Sequence, residues 1–272
     1  MKTRFLLIAA LLSVGCGSKM TGGGDGDGND DTGSSTDTDP TDDTAGSGTP
    51  TDDSGDLPSP PTGVSADHPR VFFSPPDFPQ LQGRIYDPRL VDIVTTWDEY
   101  VNGYRDPSTV PLGEGVPTPS SDDEWRAIAA PLPNLALFTL FTSDEEMKGQ
   151  VIEWMARLAA VETWGVGENP VITEGAQRTL QNFCIAFDLL HDEIPAPQRS
   201  SLRSKIISQA SQLNGALSGP TAPSWANQWS GRDAQMANLT LLIASLILEH
   251  NHDPASEWLD RTIGLAEDTV DG

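Results

Sequence analysis

The sequence predicts an all-α domain of stacked antiparallel helix pairs behind a disordered N-terminal tether. Three observations predict it. Apolar residues recur at spacings of three and four through nearly every segment after residue 67. No segment carries the alternating pattern of a strand, and residues 17–66 carry almost no apolar side chains.

The chain opens with Lys2 and Arg4, an apolar run from Phe5 to Leu12, and Ser13-Val14-Gly15-Cys16. A basic start, an apolar core and small residues before a cleavage point form a secretory signal over residues 1–15. The apolar run is shorter than the roughly 20 residues that a spanning helix needs. The residues around Cys16 resemble a lipobox, with Ser13 where Leu is usual. The resemblance implies cleavage before Cys16, lipidation of its thiol, and export to the cell envelope. The outer membrane is the expected anchor, with the domain facing the periplasm or the surface. Each buried CH2 of an acyl chain contributes about 0.8 kcal/mol to membrane binding, so a multiply acylated cysteine anchors stably.

Residues 16–66 hold the lipidated cysteine and a linker of Asp, Gly, Ser, Thr and Pro. Such a segment cannot bury enough surface to offset its ordering entropy, and its aspartates repel one another. Asp25-Gly26-Asp27-Gly28-Asn29-Asp30 has the alternating acids of a calcium loop. The sixth and twelfth positions, which that loop fills with Gly and Glu, are Asp30 and Thr36. The segment reads as a solvated spacer.

The net charge of -24 comes with no basic cluster in the sequence, which argues against nucleic acid as a partner. There are two cysteines. With Cys16 lipidated, Cys184 has no intrachain partner, and its place on an apolar helical face marks it as a buried, inert thiol. His250 and His252 have no third ligand at a suitable spacing, so neither a metal nor a cofactor is expected.

Residues 67–272 suffice for one sizeable core. Leu90, Ile93, Val94, Trp97, Val101 and Tyr104 form a first apolar stripe. Asp144 is placed to cap a helix whose stripe is Met147, Val151, Trp154, Met155 and Leu158. Leu180, Phe183, Cys184, Phe187 and Leu190 form the next, and Leu202, Ile206, Ala210, Leu213 and Leu217 follow. Met236 to Leu248 is apolar nearly all round, which predicts a core helix. Asp253 and Pro254 open a last helix. Breaks fall at Pro131 and Pro133, Gly165 to Pro170, Pro195 to Pro197, and Gly219 to Pro223. The expected product is roughly seven or eight helices with short turns, whose consecutive members are antiparallel neighbours. A bundle, a solenoid and a closed toroid all satisfy this pattern. The lack of a fixed-length repeat weighs against a regular solenoid.

Four segments resemble the heparinase II/III-like polysaccharide lyases. His68-Pro69-Arg70-Val71-Phe72-Phe73-Ser74, with Asp77, Leu81 and Arg84, looks like that family's opening segment. Ile185-Ala186-Phe187-Asp188-Leu189-Leu190-His191-Asp192 resembles its A-x-D-W-L-Y-D helix, and Trp225-Ala226-Asn227-Gln228-Trp229 its N-x-W segment. Asp271-Gly272 looks like the start of its DG-W-EG motif. The resemblance covers residues 67–272 and implies the N-terminal (α/α) toroid-like domain of such a lyase. It also implies a uronic-acid polysaccharide as partner and β-elimination as the reaction. That reaction needs a group to neutralise the uronate carboxylate, a base for the neighbouring carbon's proton and an acid for the leaving oxygen.

By resemblance Asn227 is the neutraliser, and Gln228, Trp229 and Arg232 contact substrate. The base and acid would be a tyrosine and histidines. Here Gln228 and Trp229 stand where some relatives carry a histidine, and the only tyrosines are the early Tyr86, Tyr100 and Tyr104. The expectation is an incomplete toroid that binds an acidic glycan, and that cleaves it only if the full gene supplies the missing tyrosine.

Two alternatives stand beside this one. The first is a non-catalytic glycan-binding or surface-display lipoprotein. The second is an (α/α) glycoside hydrolase using two carboxylates such as Asp188 and Glu174. Each singled-out residue also has a plainer role. Asn227 suits a helix N-cap, Trp229 a core position, and Arg232 a surface ion pair. His191 and His68 suit structural roles, His68 in fixing the opening segment. Asn238-Leu239-Thr240 is a sequon without meaning in an apolar helix. Arg70, Arg84, Arg126, Arg178 and Arg232 are the basic residues available to a cleft.

Overall fold

The computed structural model describes residues 67–113, 116–228, 231–248 and 253–270, the last with side chains for 254–267. Among them every regular element is an α-helix or a short 3-10 turn. The helices are α1 (Phe78–Arg84), α2 (Val91–Asn102), α3 (Asp122–Ala129), α4 (Leu132–Thr142) and α5 (Glu145–Ala160). They continue as α6 (Glu174–Leu190), α7 (Ala196–Ser218), α8 (Arg232–Leu248) and α9 (Asp253–Val270). The break expected at Pro131 separates α3 from α4, whereas Pro133 lies within the first turn of α4. Cys16, the tether, Trp229, His250, His252 and Asp271-Gly272 lie outside the described residues.

Local chemistry sets the helix boundaries. Ser121 caps α3 through the Glu124 N–H at 3.3 Å, and Glu124 reaches back to the Ser120 N–H at 2.6 Å. Asp144 caps α5 through the Met147 N–H at 3.0 Å, and Thr173 caps α6 through the Ala176 N–H at 3.4 Å. At the far end of α5 the Lys205 ammonium donates to the Val161 and Glu162 carbonyls and lies 4.9 Å from the centre of the Trp164 ring. The basic side chain thus supplies donors to carbonyls just beyond a helix C-terminus.

The stack is organised around α6, which buries 14 of its 17 residues, the whole Leu180–Leu190 stripe among them. Helices α3, α4, α7 and α8 pack on it, α5 packs on α4 and α7, and α9 packs on α8. Gly175 permits the approach of α3: a Cβ there would lie 2.7 Å from the Asp122 backbone oxygen. The Leu202–Leu217 stripe of α7 and the inner face of α8 close the core. The first stripe differs from expectation. Val101 is buried and Trp97 packs edge-on against Phe138 and Phe141, but Ile93 is 66% exposed. Helix α2 packs on α4, and its first turn, with Val91 and Ile93 exposed, is left uncovered.

Sequence-distant motifs meet at the C-terminal end of α6. Asp188, 1% exposed, accepts from His68 Nδ1 at 2.5 Å and from the Arg70 and Val71 backbone N–H groups at 3.0 Å each. Arg70 Nη2 stands 2.6 Å from His68 Nε2. A guanidinium has no acceptor, so Nε2 accepts and the ring proton sits on Nδ1, facing Asp188. His191 stacks on the His68 ring at 3.8 Å. The opening segment is thereby clasped to the central helix.

Candidate functional site

The other end of α6 gathers charge. Glu174, the first residue of α6, receives Arg232 Nη2 at 2.6 Å, Arg126 Nη1 at 3.8 Å and Arg178 Nε at 3.9 Å. These arginines come from the start of α8, from α3, and from one turn along α6. Arg126 also pairs with Asp123 at 2.8 Å. Burial pushes the Arg178 guanidinium below its ordinary range; Glu174 opposes this, and the charges of Arg232 and Arg126 add to it. Three cations therefore crowd one carboxylate and partly repel each other. Arg232 also stands at a helix N-terminus, the end where the macrodipole disfavours a cation, and its side chain is 73% exposed.

A small pocket opens beside this cluster, lined by Ile172, Glu174, Gln177, Arg232, Asp233 and Met236. Deeper in the same α6–α8 seam, Arg178 Nη1 donates to Gln181 Oε1 at 3.3 Å, and Gln181 Nε2 donates to Thr240 Oγ1 at 2.7 Å. The guanidinium is thus held by a buried polar chain.

The residues singled out by resemblance fare unevenly. Asn227 and Gln228 are exposed on a turn that precedes α8. Asn227 is not a helix N-cap: Gln235 N–H bonds to the Gly231 carbonyl, and Gly231, with φ of +99°, holds the capping position. The turn is clamped from behind. Asn238, fully buried, donates to the Ala234 carbonyl at 2.9 Å and the Gln228 carbonyl at 3.4 Å. Arg261 donates to Asn238 Oδ1 at 3.2 Å and to the Ala226 carbonyl at 3.0 Å. The sequon asparagine is thus a structural fastener. Its mid-helix place among apolar residues hinted at a buried polar role, but Arg261 on α9 had no local signal. Arg232 does form an ion pair, and that pair belongs to the cluster.

No family model matches the chain, and no curated protein matches it.

The carboxylate pair considered for glycoside hydrolysis does not form. Glu174 and Asp188 are fourteen residues apart on one helix, hence about 21 Å apart at 1.5 Å rise per residue. Glycosidase carboxyl groups stand about 5–9.5 Å apart. Asp188 is in addition consumed by the His68 clasp. The lyase set is not assembled around the cluster either. The pocket lining holds no tyrosine or histidine. Tyr104 packs on Trp154 of α5, with ring centres 5.9 Å apart. Cys184 is buried, and burial beside Asp188 pushes its thiol well up, which makes it a poor nucleophile. Among the described residues no group of three or more His, Cys, Asp or Glu side chains is arranged to hold a metal, and no helix is long and apolar enough to cross a membrane.

Proposed function

We propose that the chain is an exported, lipid-tethered domain that binds an acidic, uronic-acid polysaccharide, with the arginine cluster at the α3–α6–α8 end as the contact surface. One observation carries the reading: Arg126, Arg178 and Arg232 converge on a single carboxylate in a chain of net charge -24. A uronate carboxylate can replace part of Glu174's role, because a guanidinium fork pairs readily with a second carboxylate. The N-termini of α6 and α8 add partial positive charge at the same place. Asp123 and Asp233 oppose an incoming anion, so the expected affinity is modest and depends on contacts along several sugar units.

Binding without cleavage is the better-supported half of the lyase-like resemblance, because the pocket beside the arginines is lined by neither a tyrosine nor a histidine. In this reading the helix stack closes as an (α/α) toroid, Asn227 and Gln228 offer further contacts from their exposed turn, and lipidated Cys16 with its spacer holds the domain off the membrane.

Calorimetric titration with galacturonate oligomers and with their methyl esters tests the proposal. The acid form should bind, should weaken with added salt, and should weaken further in Arg232→Gln. Equal binding of the ester, or none of either, would overturn it. For the anchor, loss of palmitate labelling in Cys16→Ala is expected, and unchanged labelling would refute it.

A further inference from the structure

The three arginines of the cluster are not alike. Arg232 already bonds Glu174 Oε2 through Nη2 at 2.6 Å, and Arg126 bonds Asp123 through its own Nη2 at 2.8 Å. The ion pair of Arg178, from Nε to Glu174 Oε1, is 3.9 Å long and beyond hydrogen-bond reach. At its opposite corner Nη1 donates to Gln181 Oε1 at 3.3 Å. Among the described residues Nε and Nη2 have no hydrogen-bond partner, and neither atom is sealed from solvent.

Nε and Nη2 share one edge of the planar guanidinium, with their N–H bonds side by side. That edge matches the two oxygens of a carboxylate. Its direction is set from behind. Gln181, 4% exposed, donates through Nε2 to Thr240 Oγ1 at 2.7 Å, and Thr240 Oγ1 donates to the Met236 carbonyl at 2.7 Å. The threonine has spent its one proton on that carbonyl, so it can only accept from Gln181. The amide therefore cannot flip, and its oxygen stays turned to Arg178.

We propose that Arg178 is the carboxylate-specific contact of the cluster, taking one uronate carboxylate on its Nε/Nη2 edge, and that Gln181 is its positioning residue. This rests on the reading of the cluster as a glycan contact, and it assigns the arginines different tasks. Arg126 and Arg232 hold carboxylates of the protein and supply charge. Arg178 is kept open for the ligand. Released from Gln181, its guanidinium could close the 3.9 Å gap and give the edge to Glu174.

Calorimetric titrations of the full chain with galacturonate oligomers test the assignment through Arg178→Lys, Gln181→Met and the double variant. Arg178→Lys keeps the charge and loses the fork, so binding should weaken about tenfold, the scale of one charge-assisted hydrogen bond. Gln181→Met should weaken it severalfold with the salt dependence unchanged, because no charge is removed. In the Arg178→Lys background Gln181→Met should have no further effect, since its influence passes through the fork. Binding by Arg178→Lys equal to the parent's would overturn the fork, and it needs no change in the core. Parent-like binding by Gln181→Met, or a loss that persists in the double variant, would overturn the positioning role. If the parent binds and Arg178→Lys binds alike, the cluster reading stands and the fork falls; if the parent does not bind, both fall.

Discussion

Replacing Asp188 with asparagine should unclasp the opening segment and cost about 3–5 kcal/mol. The carboxylate sits 1% exposed with His68 Nδ1 on one oxygen and the Arg70 and Val71 N–H groups on the other. An asparagine keeps one acceptor oxygen and introduces an NH2 donor. Facing Oδ2's partners, that donor meets two backbone N–H groups. Facing Oδ1's partner, it meets the His68 Nδ1–H. The ring cannot escape by moving its proton, because Nε2 already faces Arg70 Nη2 at 2.6 Å. The milder orientation still leaves one buried donor unpaired, at about 1–3 kcal/mol, and removes the charge from bonds that contribute about 1.5–3 kcal/mol each when one partner is ionised. A domain of this size is stable by about 5–15 kcal/mol, so the loss is readily measured. Urea unfolding followed by tryptophan fluorescence gives the global cost. Trypsin cleavage after Arg70 reports local release of the segment. A loss below about 1 kcal/mol, with Arg70 still protected, would refute the clasp, since an oxygen so surrounded cannot be dispensable.

Three further outcomes follow from the packing. Burial lowers the His191 pKa from 6.5, with His68 and Arg199 acting in the same direction and Asp192 against them. The unfolded chain therefore takes up this proton first, and stability should fall as pH drops below about 6.5. His191→Phe, which keeps a ring against His68, should flatten that loss in denaturation midpoints between about pH 7 and 5; an unchanged slope would exclude the assignment. Burial brings the Lys205 pKa down to about 8. Stability should rise with pH between that value and the ordinary 10.5, and the rise should vanish in Lys205→Met. At neutral pH that variant should also lose about 1–3 kcal/mol through the unpaired Val161 and Glu162 carbonyls. Gly175→Ala places a methyl group 2.7 Å from the Asp122 oxygen, so α3 must shift at a cost of about 1–3 kcal/mol, read from thermal or urea unfolding.

Much of the helical frame was legible because its residues obey local rules. The stripes of α5, α6 and α7 follow the 3.6-residue period, and all the positions named for them are buried. Asp144 caps where it was expected to cap. Ile93 escaped because periodicity tells which residues share a face, not whether another helix covers that face. The candidate site was harder to read. Arg126, Arg178 and Arg232 were visible as scattered basic residues, but their meeting at Glu174 depends on how α3, α6 and α8 stack. Glu174 and Asp188 both read as acids on one helix. Only the distance along α6 separates a charged surface at its start from a structural clasp at its end.

The most direct test of the account pairs two substitutions of opposite sign at the cluster. Glu174→Gln removes the carboxylate that competes with the glycan, and Arg232→Gln removes one of the cations that receive it. Two unit charges about 4 Å apart in a water-like medium interact by about 1 kcal/mol, roughly fivefold in affinity. Titrated with galacturonate oligomers at low salt, Glu174→Gln should bind severalfold more tightly than the parent, and Arg232→Gln severalfold more weakly. Weaker binding by both, or no change in either, would contradict an anion-receiving cluster and reduce Glu174 and its arginines to a structural ion pair network.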